Sequence, residues 1–190
     1  MNTSRTRIIA EMGLSIALFV ILQYFSVRLP INVFGGTISL AMVPILVLAL
    51  LRGPVVGVVC GILCGLLDIT IEPFVLHPVQ LVLDYPVAFG LIGLAGLCSP
   101  ALRNACSHKR ASTLVAWMIG GVCMGLLGRF VAATVSGYVF FQSTFPQTMN
   151  PWLYSMVYNA SYMVPSLIAT IASVLIIMPI LLKVFVGDPA

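Results

Sequence analysis

Charge is what this chain lacks most. Its 190 residues include nine Lys or Arg and five Asp or Glu, 7% of the total, where soluble domains carry about 25%. Hydrophobic residues make up 61%, and mean hydropathy is +1.13. So few charges cannot cover a soluble surface without leaving large apolar patches, and the apolar content excludes intrinsic disorder. The chain is therefore read as a polytopic membrane protein. Period-two alternation is also missing. The apolar runs are long and continuous, which argues against a β-barrel.

Several kinds of chemistry are absent too. No GxxxxGK[ST] stretch exists to hold ATP phosphates. There is no HExxH and no His/Cys group with zinc-like spacing. Cys60 and Cys64 lie four apart on one helix face, which fits a soft-metal site or, more simply, two small residues at a helix contact. The remaining cysteines, Cys98, Cys106 and Cys123, imply no disulfide framework. No nucleophile–base constellation appears, so the chain is not read as an enzyme, and neither a catalytic residue nor a metal site is assigned.

What is present is an all-α pattern. A membrane helix takes about 20 apolar residues, so the length accommodates six. The runs are about 8–27, 38–51, 54–71, 78–97, 112–141 and 151–182, one six-helix domain over 1–190 with no internal repeat. The second and third are short and are joined by Arg52-Gly53 as a tight hairpin. Pro54, Pro78 and Pro151 sit at first-turn positions, where the missing N–H costs little. Asn150 is placed to cap the sixth helix. The first run follows Arg5 and Arg7 as a signal peptide would, but Arg28-Leu29-Pro30 is no small-residue cleavage site, so it is kept as a span.

Basic residues set the orientation. With the N-terminus in the cytoplasm, Arg5, Arg7, Arg52, Arg103, Lys109, Arg110 and Lys183 fall inside, against Arg28 outside and Arg129 within the fifth run. Both termini are then cytoplasmic in the cell membrane. Loops at about 28–37, 72–77 and 142–150 lie outside, and a polar loop at 99–111 lies inside. His77 and His108 fall on opposite sides.

Ionisable groups within a bilayer are costly and usually functional. Asp68, Glu72, Asp84 and Arg129 all map to the outer half. Asp84 is placed about 9 Å below the outer end of the fourth helix, with Arg129 at similar depth. Two roles fit Asp84, pairing with Arg129 or meeting a cationic ligand, and they are compatible. Three carboxylates against one arginine favour a cationic guest. Gln80 shares a helix face with Asp84, and Tyr85 points away from it. Residues 138–162 hold eight aromatics, among them Phe141, Trp152 and Tyr154. These read as an interfacial belt or, with Ser155 and Asn159 on the helix face of Trp152, as walls for a flat cationic heteroaromatic. Gly13 and Ala17 form a small-xxx-small pair that lets another helix approach closely.

Three stretches resemble one family: GGTISLAMVPILVLALLRG (35–53), HPVQLVLDYPVAFGLIGLAGL (77–97), and 128–165 with its GRF, SGYVFF and PWLYSMVYNASYMVP segments. They are similar to the thiamine-specific substrate-binding subunits (S components, ThiT/YuaJ family) of the energy-coupling factor transporters, over about residues 8–180. The resemblance implies six helices and high-affinity capture of thiamine from outside. The pocket would lie between helices four to six under the first outer loop. It also implies partners: a transmembrane coupling subunit and two ABC-type ATPases that use the ATP, with no cofactor in this chain and no nucleic acid. Gly13 and Ala17 match the family's coupling face. Asp84 matches the acidic ligand position, and Tyr85 the tyrosine beside it. Tyr154 and Asn159 match polar contacts, Phe141 a stacking position, and Phe74 a position where a tyrosine occurs. Gln80 and Trp152 are added as ligand contacts from their helix faces.

Two departures stand out. Ala133 occupies the place of a ligand-contacting histidine, and Gly35-Gly36 the place of a covering-loop tryptophan. Losing the histidine costs about 1–2 kcal/mol of ligand contact, so a related vitamin or a hydroxymethylpyrimidine-like precursor stays open as the ligand. A stand-alone channel is the remaining alternative from another class.

Overall fold

The computed structural model describes residues 5–27, 36–71, 73–142 and 149–186, apart from the side chains of 183, 185 and 186. Among these residues the chain forms six helices. They are α1 (Arg5–Tyr24), α2 (Met42–Arg52), α3 (Pro54–Ile71), α4 (Pro78–Ser107), α5 (Ala111–Phe141) and α6 (Pro151–Val186). All but α2 are long and apolar enough to cross a membrane. Beyond the helices, Val27 and Ile38 form an antiparallel bridge. Glu72, Arg28 and Gly35, each considered in the sequence, lie outside the described residues, as do most residues of the outer loops at 28–37 and 142–150.

The second run is short, as its sequence implies. Its helix has 11 residues, about 16 Å at 1.5 Å per residue, half of a hydrocarbon core. Nine of those residues are buried, with Ile45, Leu46, Ala49 and Leu50 at 0% exposure. Apolar all round, α2 is a core helix that the longer helices enclose. Phe19 of α1, Phe89 of α4, Met118 of α5 and Met178 of α6 complete this core, with Phe19 edge-on to Phe89 at 5.3 Å.

The fourth run departs from expectation. Residues 99–107, read as a polar loop, continue α4 as helix. Leu102 and Ala105 are buried on one side of this turn, and Arg103 anchors the other by donating from its guanidinium to the Leu51 carbonyl at 2.5 Å. The polar residues between them face outward, so the segment is amphipathic. At the same end, Glu11 of α1 receives both Arg52 Nε and Arg52 Nη2, each at 2.6 Å, and Arg7 Nε at 3.0 Å. A bidentate carboxylate–guanidinium pair of this kind is among the stronger polar contacts, and it ties α1 to the α2–α3 turn.

Lipid tails are as apolar as leucine, so close packing must hold such helices together. Here α3 supplies Gly57, Gly61 and Gly65 on one face against α4. A β-carbon at Gly65 would stand 2.5 Å from the Tyr85 carbonyl oxygen and 2.9 Å from Pro86 N. Cys60 and Cys64 flank these glycines and are fully buried in the apolar core.

The helix starts follow local chemistry. Asn150 Oδ1 accepts from Trp152 N at 2.9 Å, capping α6. His77 Nδ1 accepts from Val79 N at 3.1 Å, capping α4 ahead of Pro78.

Candidate functional site

At the end of the bundle away from the Glu11–Arg52 pair, a cavity opens between α3, α4, α5 and α6, lined also by Gln23, Gly36 and Thr37. Its volume is about 120 Å³. Its shape begins with Pro86. A proline inside a helix has no N–H to give and crowds the carbonyl one turn back, and the chain relieves this by widening into a π turn at Leu83–Val87. Such turns re-aim side chains. This one presents Asp84 and Tyr85 to the cavity, with Gly65 of α3 pressed against its backbone.

Asp84 Oδ2 accepts from Gln80 Nε2 at 2.6 Å. Tyr85 is buried, and its hydroxyl accepts from Phe74 N at 2.8 Å. Phe74 in turn stacks on Phe141 of α5, with ring centroids 5.7 Å apart and planes within 17°. Arg129 reaches in from α5 with its guanidinium 4.1 Å above the Phe89 ring. No ion pair joins it to Asp84, and among the described residues its donors make no hydrogen bond. Of the two roles open for Asp84 in the sequence, pairing with Arg129 is therefore not realised. The two opposite charges share one cavity, with the arginine held over an aromatic face.

The α6 wall is built on one helical face. Ser155 Oγ donates to the Thr134 carbonyl at 2.8 Å, and Asn159 Nδ2 donates to the Ser155 carbonyl at 2.9 Å and to the Ala133 carbonyl at 3.4 Å. Tyr162 OH donates to Asn159 Oδ1 at 2.5 Å. Above them Gly36, at φ +89°, lies against the Tyr162 ring where a β-carbon would overlap it. A glycine is thus required where the resemblance had raised a tryptophan. This covering segment is pinned by Ser39, whose N–H donates to Ser166 Oγ at 3.1 Å and whose hydroxyl bonds Gln23 Oε1 at 3.2 Å.

Of the residues singled out in the sequence, Phe74, Gln80, Asp84, Tyr85, Phe141 and Asn159 line the cavity together. Trp152 and Tyr154 do not line it. Trp152 is 44% exposed and stacks on Tyr138 at 4.1 Å, while Tyr154 stacks behind Tyr158 at 6.3 Å. One α-helical turn separates them from the wall. The aromatic stretch therefore divides: Phe141, Tyr158 and Tyr162 face the cavity, and Tyr138 and Trp152 stack apart from it. Gly13 and Ala17 are far from the cavity on the outer face of α1, and Gly13 has nothing within 4 Å of a built β-carbon.

Sequence reasoning did not assign Gln23, Gly36, Thr37, Tyr158 or Tyr162 to the cavity. The two tyrosines had a signal, since Ser155, Tyr158, Asn159 and Tyr162 follow at i, i+3, i+4 and i+7. Gln23 had none, because it arrives from the far end of α1. Ala133 does line the cavity, so its short side chain leaves room there.

A family model described as thiamine transporter protein (Thia_YuaJ) matches residues 9–186. The chain is 39% identical over 170 residues to the thiamine transporter ThiT of Bacillus subtilis (strain 168), covering 88% of each chain. It is 27% identical over 154 residues to the thiamine transporter ThiT of Lacticaseibacillus paracasei, covering 79% of this chain and 77% of the other. A solved structure of ThiT from Listeria monocytogenes superposes with a TM-score of 0.82 at 26% identity, covering 96% of both chains.

Proposed function

Since the chain belongs to the thiamine transporter protein family (Thia_YuaJ), a family of transporters and not of enzymes, we propose that its cavity captures thiamine. Thiamine is a cationic thiazolium joined to an aminopyrimidine, two flat rings with one positive charge. The observation that carries the reading is Asp84, a carboxylate presented by the π turn into a cavity walled by Phe74, Phe141, Tyr158 and Tyr162. Rings attract a cation through their faces, and a carboxylate fixes its orientation. The Arg129 guanidinium, held over the Phe89 ring at the cavity, suits the ligand's hydroxyl end. Asn159 and Tyr85 fix the wall against which the rings lie.

The cavity faces outward and both termini lie in the cytoplasm, as the basic residues at the opposite end support. In this arrangement the chain is the S component of an energy-coupling factor transporter, and ATP is used by partner ATPases. A coupling subunit docks on the exposed face of α1 that carries Gly13, Leu14, Ala17 and Leu18, where small residues permit close helix contact.

The test is titration of thiamine into the detergent-solubilised chain, following Trp152 and Trp117 fluorescence, with a hydroxymethylpyrimidine in competition. Saturable binding of thiamine below about 1 μM is expected. Ala133 is the observation that favours a second reading, because it leaves one cavity wall without a large side chain. Tight binding of the pyrimidine and none of thiamine would establish that reading in place of the first.

A further inference from the structure

We infer that Gln80 is a positioning residue, which locks the Asp84 carboxylate and the backbone of residues 74–76 into one hydrogen-bonded unit and does not itself contact the ligand. The inference rests on the proposed thiamine reading for its ligand and on the geometry alone for the lock.

Gln80 is 1% exposed. Its Oε1 accepts from Leu76 N at 3.0 Å, and its Nε2 donates to the Phe74 carbonyl at 3.0 Å and to Asp84 Oδ2 at 2.6 Å. A primary amide has two N–H donors, and both are used. The amide can stand only one way round. Turned over, its oxygen would face a carbonyl and a carboxylate, and its NH₂ would face the Leu76 N–H. No donor is left for a guest, although the side chain borders the cavity.

The lock closes through a second residue. Phe74 N donates to Tyr85 OH at 2.8 Å, so consecutive groups of the 74–76 backbone are held by side chains one and two turns into α4. Phe74 carries its ring onto Phe141. Moving the carboxylate therefore disturbs the aromatic wall, and moving the wall disturbs the carboxylate. An unpaired buried amide or carboxylate is costly, which makes partial opening of the unit unfavourable. Among the described residues, the charged and titratable groups facing this region are His77 at the cap of α4, Asp84 and Tyr85 on α4, Asp68 on α3, Arg129 on α5, and Tyr158 and Tyr162 on α6.

Two variants test the lock. Gln80→Leu keeps volume and removes every hydrogen bond. Gln80→Glu keeps the shape, and its ionised form sets a carboxylate against Asp84. When protonated, it again donates to Asp84 through its one O–H and accepts from Leu76 through its carbonyl, so that of the three bonds only the one to the Phe74 carbonyl is lost. Amide hydrogen exchange of the 73–77 segment is measured on the ligand-free chain in detergent, and thiamine affinity is measured separately. Both are taken at pH 8 and pH 5.5 relative to the unsubstituted chain at the same pH, so that every other pH effect is common to variant and reference.

For Gln80→Leu, exchange at Leu76 rises by roughly tenfold and affinity falls by roughly tenfold to hundredfold at both pH values. Gln80→Glu matches it at pH 8 and returns to within about threefold of the unsubstituted chain at pH 5.5. Recovery at low pH also demonstrates that the variant is folded. Unchanged Leu76 exchange in Gln80→Leu, or a loss in Gln80→Glu that ignores pH, overturns the inference. If the unsubstituted chain fails to bind thiamine while exchange follows the expected pattern, the ligand reading falls and the lock stands.

Discussion

Gly36 and Tyr162 are in direct contact: the glycine backbone lies so close to the ring that a β-carbon would occupy the same space. The hydroxyl of that ring donates to Asn159 Oδ1 at 2.5 Å. Cover, ring and cavity wall thus form one stack, although 126 positions separate Gly36 from Tyr162 in the chain.

Gly36→Ala is expected to push the covering segment off the cavity. The site combines φ of +89° with this close approach, so strain and overlap act together. A cost of about 1–3 kcal/mol is expected, mainly as faster thiamine release in stopped-flow fluorescence with the melting temperature moved less.

Asp84→Asn tests charge apart from shape. An asparagine oxygen still accepts from Gln80 Nε2, so the fold should hold. Losing a charged partner for the ligand costs about 1.5–3 kcal/mol, or roughly tenfold to hundredfold in affinity by isothermal titration calorimetry. Unaltered affinity would remove Asp84 from the binding role.

Gly65→Ala should destabilise the bundle as a whole. The methyl group meets the Tyr85 carbonyl and Pro86 N, backbone atoms that cannot rotate aside as a side chain would. A loss of about 1–3 kcal/mol is expected, read as a lower melting temperature in detergent and, because the π turn moves, weaker thiamine binding.

Glu11→Gln separates the two ends of the molecule. It replaces the charged partner of Arg52, whose side chain is 9% exposed, by a neutral amide, at a cost of about 1–3 kcal/mol. Thermal stability should fall while thiamine affinity stays within about twofold, since Glu11 is no part of the cavity. Equal loss of both would show that α1 couples the ends.

The sequence by itself determined the solvent of this protein and its local structure. Seven per cent charge leaves no alternative to a bilayer, and helix starts such as Asn150–Pro151 are written in neighbouring residues, because a cap reaches only two or three positions. The shared face of Gln80 and Asp84 was legible for the same reason, the 3.6-residue period.

Only the tertiary structure decided which faces turn inward. In a soluble protein the polar face of a helix marks its outside, but here lipid and core are equally apolar, so α5 and α6 carry little record of their rotation. That is why Trp152 and Tyr154 fall outside the cavity while Tyr158 and Tyr162 line it. It is also why α2 is enclosed by its neighbours, with too few residues to span a bilayer. The contacts that assemble the site, Ser39 with Ser166 and Gly65 with Tyr85, join distant segments whose meeting depends on how closely whole helices can approach, a property of the packed bundle and not of any one stretch.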